Sequence, residues 1–198
     1  ISENCNTAKE SFRYILFKEF NRFKIFDDGE SLLETYETLL KYKITDTAKA
    51  RPPKCPVDID LCEEEYKYGY GIYKCKCNKY DLYSTDALRL HELMNPTGSN
   101  GDLYGQVMQT IEKLVLINIL RYFENKNMFS ILKRFVFIMD GPLAVFSTAS
   151  WLAKPITHEL NRINEKAKKL RADSIDLMII GIEKTGAFVN HFDVIFIR

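Results

Sequence analysis

The fold is decided by the stretch Phe135-Val136-Phe137-Ile138-Met139, which runs into Asp140-Gly141-Pro142. Five apolar residues followed by a turn sequence are typical of a buried β-strand. A similar run, Leu177-Met178-Ile179-Ile180-Gly181-Ile182, comes after a helical pattern over residues 156–171. Strands that alternate with helices here, after consecutive strands earlier in the chain, predict an α/β fold with a sheet of mixed direction.

Working outward from this stretch, apolar spacing predicts the other elements. Ser31 followed by Glu34 predicts a capping box at the start of a helix. The proline-containing stretch Ala48–Asp60 cannot continue that helix and is the best internal boundary, which divides a helical segment at 1–50 from a domain at 51–198. The predicted elements are helices at 7–24, 31–42 and 103–125, a short helical stretch at 85–94, one or two strands within 66–84, and a last strand in the run from Val194 to Arg198.

Composition limits the class of protein. The 198 residues are 46% hydrophobic and carry 28 Lys and Arg against 27 Asp and Glu, which excludes a disordered or strongly basic chain. No apolar run approaches the roughly 20 residues that span a bilayer, and the start lacks a signal-peptide pattern, so we expect a cytoplasmic protein without membrane association. The first residue is not Met and the last residues form a strand that needs a neighbour. These ends predict a piece of a longer protein; the alternative is a processed chain whose last strand lies at a sheet edge.

Two carboxylates are the leading candidates for chemistry. Asp140 follows the first apolar strand, and ligands of α/β sheets bind at the carboxyl ends of strands. Glu112 lies in the long helix that precedes that strand, beside Leu114-Val115-Leu116. One acid from a helix and one from a strand can hold Mg²⁺ or Mn²⁺, which prefer oxygen ligands. The alternatives are that Asp140 caps its own turn and that Glu112 marks the edge of an apolar face.

Glu183 and Lys184 follow the second apolar strand. If the two strands are parallel neighbours, this pair emerges beside Asp140, where Lys184 could bind a phosphate or stabilise developing negative charge. The alternative is a solvated loop pair, and His191 is a weaker candidate. No phosphate-binding loop, dinucleotide fingerprint or nucleophile elbow occurs in the sequence.

Four of the five cysteines lie close together in the sequence. Four thiolates can hold a structural Zn²⁺ in tetrahedral geometry, although these spacings differ from the usual paired knuckles. The alternative is that Cys75 and Cys77 share one face of a strand and the others are incidental. The candidate zinc ligands are Cys55, Cys62, Cys75 and Cys77.

Several stretches together resemble the bacterial branch of the NurA nuclease family over residues 55–193. The carrying stretches are Tyr83-Ser84-Thr85-Asp86-Ala87-Leu88-Arg89-Leu90-His91-Glu92, Phe137-Ile138-Met139-Asp140-Gly141-Pro142-Leu143-Ala144-Val145-Phe146, Trp151-Leu152 with Glu159-Leu160-Asn161-Arg162-Ile163-Asn164, and Gly181-Ile182-Glu183-Lys184-Thr185-Gly186. Their order and separation carry the resemblance, since no single stretch is diagnostic.

This resemblance implies an RNase H-like fold and a Mn²⁺- or Mg²⁺-dependent DNA nuclease. It further implies a homodimer that works on DNA ends beside a hexameric HerA-type ATPase, in end processing or in defence against phage. Asp140 matches the family's strand aspartate, Glu112 its helix glutamate and Lys184 its basic position. Asp86 lies within the first carrying stretch and is a lesser candidate.

The sequence departs from the family in its first strand. Family members open with a strand that bears Asp-Gly-Ser, and Asp27-Asp28-Gly29-Glu30 is a poor substitute because the preceding apolar segment is too short. The family's final histidine-bearing element is also absent, unless His191 replaces it. Two hypotheses therefore stand: a metal-dependent nuclease whose bridging aspartate comes from a missing strand, or a non-catalytic, zinc-stabilised adaptor with a degenerate nuclease fold.

Overall fold

A computed structural model describes residues 5–45, 68–75, 81–132, 134–140, 147–171, 176–182 and 194–196. Within them the chain is a mixed α/β protein, mostly helical, as the alternation of patterns predicts. The helices are α1 (Ala8–Arg22), α2 (Leu32–Thr45), α3 (Gly101–Asn125), α4 (Phe129–Leu132) and α5 (Ala153–Arg171), with 3₁₀ helices at Ser84–Leu88, Leu90–Leu93 and Ser147–Leu152. The strands are β1 (Ile72–Lys74), β2 (Asp81–Tyr83), β3 (Val136–Asp140), β4 (Met178–Ile182) and β5 (Val194–Phe196).

The predicted capping box at the start of α2 is confirmed. The backbone N–H of Ser31 donates to Glu34 Oε2 at 2.6 Å, and the N–H of Glu34 donates to Ser31 Oγ at 3.2 Å. The start of α1 has the same arrangement between Thr7 and Glu10, which the sequence analysis did not identify. In each case two backbone donors that the helix leaves unpaired are satisfied by side chains.

The first two helices share a hydrophobic core with the rest of the chain. One cluster joins apolar residues of α1 and α2 to residues of the 3₁₀ helices and of α3, with Tyr36, Leu39 and Leu40 fully buried. The hydrophobic interior thus includes residues on both sides of position 50, and the domain boundary predicted there stays a prediction. The proline-containing stretch 48–60 lies outside the described residues.

The described strands form two small sheets. β1 and β2 pair in antiparallel fashion, so two strands lie within 66–84, where the sequence predicts one or two. The other sheet has the order β3-β4-β5: β3 is parallel to β4, and β4 is antiparallel to β5. The last strand, β5, is paired with β4 of this chain.

The predicted burial of β3 and of the following strand holds for one face of the sheet. In β3, Met139 is buried, whereas Val136 and Ile138 are 47% and 64% exposed. Met139 and Ile179 pack with apolar residues of α3 and α5, and the alternating residues face away. The described helices pack against one face of the sheet. β3 and β4 therefore carry apolar residues on both faces but are buried on one. No helix among the described residues combines the length and apolar character needed to cross a bilayer.

Candidate functional site at the carboxyl end of the parallel strands

Asp140 is the last residue of β3 and pairs with Ile182, the last residue of β4. The two strands run in parallel, so the chain leaves both of them at the same edge of the sheet. The two strands are therefore parallel neighbours, which is the arrangement that the prediction for Glu183 and Lys184 requires. Glu183 and Lys184 themselves lie outside the described residues, as does His191.

The pleat of β3 sets the direction of the Asp140 side chain. Phe137 and Met139 belong to the face that packs against the helices, so Asp140 faces the other side and is exposed. An exposed carboxylate at this position needs no compensation for burial. Since Glu112 lies on the helical side, a cation bound by both residues would have to sit beyond the end of the strand, where the two faces of the sheet meet.

The middle of α3 carries the second candidate acid beside an unexpected cation. Glu112 is half-buried, at the margin of the apolar face of α3. The next residue, Lys113, is only 3% exposed, and its Nζ has no hydrogen-bond partner. Burial lowers the pKa of Lys113, and the neighbouring Glu112 carboxylate opposes that shift. An ammonium group removed from water without a partner is costly, so this position requires an explanation.

Further along α3, the half-buried Arg121 is paired with two carboxylates. Arg121 donates from Nε to Glu30 at 2.5 Å and from Nη1 to Glu159 at 2.8 Å. Glu159 also accepts from Arg162, and these two arginines hold the pKa of its carboxyl below the usual value against the effect of burial. These contacts join the segment before α2 to α3 and α5.

Glu124 is the other acid of this charged layer. Its carboxylate accepts bidentate hydrogen bonds from Arg162 at 2.6 and 2.7 Å and a third hydrogen bond from Lys166 at 2.8 Å. These donors lower the pKa of Glu124 to about 2. Balanced pairing of this kind fixes how helices pack and leaves little capacity for a ligand.

Asp86 belongs to a buried ion pair. Arg13 of α1 donates to both of its carboxylate oxygens, at 2.8 and 2.6 Å, and both side chains are at most 3% exposed. His91 Nδ1 lies 3.9 Å from Asp86 Oδ1, but burial and the charges of Arg13, Lys9 and Arg89 lower the pKa of His91 to about 3. His91 is therefore neutral at pH 7, and the 3.9 Å approach is not an ion pair. These contacts give Asp86 a structural role that joins α1 to the first 3₁₀ helix.

The proposed metal ligands are only partly within the described residues. Cys75 is buried at the end of β1, whereas Cys55, Cys62 and Cys77 lie outside the described ranges. Among the residues that are described, no group of three or more His, Cys, Asp or Glu side chains is arranged to hold a metal ion. The zinc site and the Mg²⁺ or Mn²⁺ site therefore stay predictions.

Comparison with known proteins gives no relative. No family model, no curated protein and no solved structure matches this chain. The resemblance described above therefore stays an expectation drawn from this sequence.

The sequence analysis missed Lys113 and the partners of Asp86. Lys113 was detectable, because it is a lone cation between Ile111 and Leu114 on the apolar side of a long helix. The Arg13–Asp86 pair was not, since it joins residues 73 positions apart and no local spacing connects them.

Proposed function

We propose that this protein is a divalent-metal-dependent DNA nuclease with an RNase H-like fold, in which Asp140 is a metal ligand. The observation that carries the proposal is the parallel register of β3 and β4, which pairs Asp140 with Ile182. An aspartate at the carboxyl end of a parallel strand lies where α/β proteins bind ligands. The exposed position of Asp140 suits Mg²⁺ or Mn²⁺, which keep several water molecules.

The chemistry of the proposed site is metal-assisted hydrolysis of a phosphodiester. A bound Mn²⁺ or Mg²⁺ supplies an activated water and neutralises charge on the phosphate. Asp140 holds the ion, Glu112 contributes from α3 at the end of the strand, and Lys184 is the proposed cation of the following segment. A bridging aspartate from a strand that is not in this sequence would complete the ligand set.

The charge balance favours action with a partner. The net charge of +1 leaves few surplus cations for phosphate contacts, which supply much of the affinity for DNA. We propose a hexameric HerA-type ATPase that feeds DNA ends to a homodimer of this protein in the cytoplasm.

The test is Asp140→Asn in the full-length protein, assayed on linear duplex DNA with Mn²⁺ in the presence of the ATPase. We expect cleavage to fall at least 1,000-fold, roughly the effect of losing a principal charge-stabilising group. The free energy of unfolding should not change, because Asp140 is exposed. Asp102→Asn, an exposed carboxylate at the start of α3, is the matched control and should cleave at the wild-type rate. Undiminished cleavage by Asp140→Asn would remove Asp140 from the mechanism.

The second candidate is a non-catalytic adaptor, and a separate observation favours it. The face of the sheet that carries Asp140 also exposes Val136, Ile138, Met178 and Ile182. Exposed apolar side chains gathered on one face are typical of a protein-binding surface. Wild-type protein that binds the ATPase yet never cleaves DNA with Mn²⁺ or Mg²⁺ would favour the adaptor over the nuclease.

A further inference from the structure

Lys113 differs from other buried or half-buried cations of this chain, of which Arg13 is buried. Arg13, Arg121 and Arg162 each donate to at least one carboxylate. Among the charged side chains that the structure describes, Lys113 is the buried one whose charged atom has no hydrogen-bond partner. A group in that situation loses its hydration without compensation. Its presence in an otherwise apolar face indicates a purpose other than stability.

Helical geometry gives the direction of the Lys113 side chain. Residues seven positions apart on an α-helix differ in direction by only about 20°, so Lys113 points almost as Leu120 does. Leu120 and Leu116, which is three positions from Lys113, belong to the cluster that contains Met139 of β3. Lys113 therefore extends the face of α3 that packs on the sheet, one turn beyond Leu116.

The position of Lys113 along the sheet follows from a ring contact. Phe123 of α3 and Phe135, just before β3, have ring centroids 6.2 Å apart. Met139, further along the strand, packs in the same cluster as Leu120, which precedes Phe123 on the helix, and this indicates that the strand runs back along α3. The ten residues back to Lys113 advance about 15 Å along the helix, and the five residues on to Asp140 advance about 16 Å along the strand. Long side chains on helices lean toward the helix N-terminus. Lys113 thus reaches the level at which β3 and β4 end.

We propose that Lys113 is an anion-binding residue at this edge and that it contacts the phosphate group of the phosphodiester that is cleaved. The second part rests on the proposed nuclease function. The first part requires only that a phosphate can reach Lys113 Nζ at this edge of the sheet. A phosphate offers several charged oxygens to the three donors of an ammonium group.

The carboxylates of the neighbouring layer are already engaged. Glu30, Glu124 and Glu159 all accept bonds from arginines. Glu112 is adjacent on the helix and raises the pKa of Lys113, but it makes no hydrogen bond to Nζ. An external anion is therefore the partner that the described residues leave for this group.

The first experiment measures anion binding without catalysis. The melting temperature of the full-length protein is compared in inorganic phosphate and in chloride at equal ionic strength. We expect saturating phosphate to raise the melting temperature of the wild type by roughly 2–5 °C, as ligand binding to the folded state requires. Lys113→Met should lose that shift, Lys113→Arg should keep part of it, and Lys154→Met, an exposed control, should keep all of it.

The second experiment measures cleavage. We expect Lys113→Met to lower kcat on linear duplex DNA about 100-fold or more, with less than about a 3-fold change in the Kd for DNA, because one phosphate contact among many is removed. The variant should fold, since Met replaces the stem of the lysine and removes the unpaired charge. A large fall in its melting temperature in chloride would show an essential structural partner and overturn the proposal.

The two experiments separate the inference from the proposed function. If wild-type protein cleaves no DNA but its phosphate shift depends on Lys113, the nuclease proposal fails and the anion site stands. If the wild type shows no phosphate shift, or Lys113→Met retains it, the anion site is overturned whether or not DNA is cleaved.

Discussion

Two cations on the same helix, the half-buried Arg121 and the buried Lys113, have opposite surroundings. Arg121, in the C-terminal half of α3, donates to Glu30 and Glu159 and belongs to a layer in which the acids are matched by bases. Lys113, two turns earlier, is more deeply buried and has no hydrogen bond at Nζ. The same helix therefore carries one cation that is paired with carboxylates of the fold and one whose charged atom is available to a ligand. The comparison separates residues that hold helices together from residues available for a ligand.

The largest effect should come from breaking a paired cation that is fully enclosed. Arg13→Met leaves Asp86 with a buried charge that has lost its two-pronged partner. We expect the free energy of unfolding to fall by about 3–5 kcal/mol, the usual result of removing one partner of a buried pair. Chemical denaturation measures this. Arg22→Met, which removes an exposed pair with Glu19, is the control and should unfold as the wild type does. An unchanged free energy of unfolding in Arg13→Met would show that Asp86 does not need this partner.

A direct comparison within α3 should give a smaller but more specific difference. Arg121→Met leaves Glu159, whose side chain is 1% exposed, with fewer donors and should cost about 2–3 kcal/mol. Lys113→Met removes a charge without a hydrogen-bond partner and should change the free energy of unfolding by less than about 1 kcal/mol in either direction. Equal losses in the two variants would contradict the distinction between the two cations.

The free energy of unfolding should fall gradually in acid, because His91 and Glu124 both have lowered pKa values in the fold. The folded-state pKa of His91 is about 3 against an ordinary value of 6.5, so the unfolded chain binds the extra proton between those values. Stability is complete above pH 6.5 and falls by about 1.4 kcal/mol per pH unit as the pH drops toward 3. Glu124, with a folded-state pKa of about 2 against 4.5, adds a similar slope below pH 4.5.

Two variants separate these slopes. His91→Gln should flatten the dependence of unfolding free energy on pH between 6.5 and 4.5. Glu124→Gln should flatten only the part below 4.5. A stability that stays constant from pH 6.5 to 4.5 in the wild type would show that His91 is protonated in the fold.

Local signals in the sequence were sufficient for the elements and for part of the sheet. The helical spacing of residues 103–125 matches α3, and Ser31 with Glu34 gave the start of α2, because both patterns depend on neighbours within one or two turns. The strand at 135–139 matches β3 within one residue. Its predicted burial holds for one face of the sheet. Apolar residues on both faces of a strand predict that other elements pack on both faces. Only the tertiary structure shows that the described helices pack on one of them.

The candidate site was predictable only in part, for the same reason. Asp140 could be placed at the end of a strand from Gly141-Pro142 alone. Its orientation away from α3 could not, because a shift of one residue in the pleat reverses the face of every side chain. Lys113 was visible as a charge in an apolar pattern, but its lack of a partner depends on residues far away in the sequence.

The position of each strand within the sheet has a consequence for motion. β4 forms hydrogen-bonded ladders with β3 and β5, whereas β3 is paired along one edge within the described residues. Amide protons of β4 should therefore exchange with deuterium more slowly than those of β3 that point outward, since opening an inner strand disrupts two ladders. Among the described strands, β3 and β5 each have one ladder, so the strand that ends at Asp140 can separate from the sheet at a lower free-energy cost than β4 can.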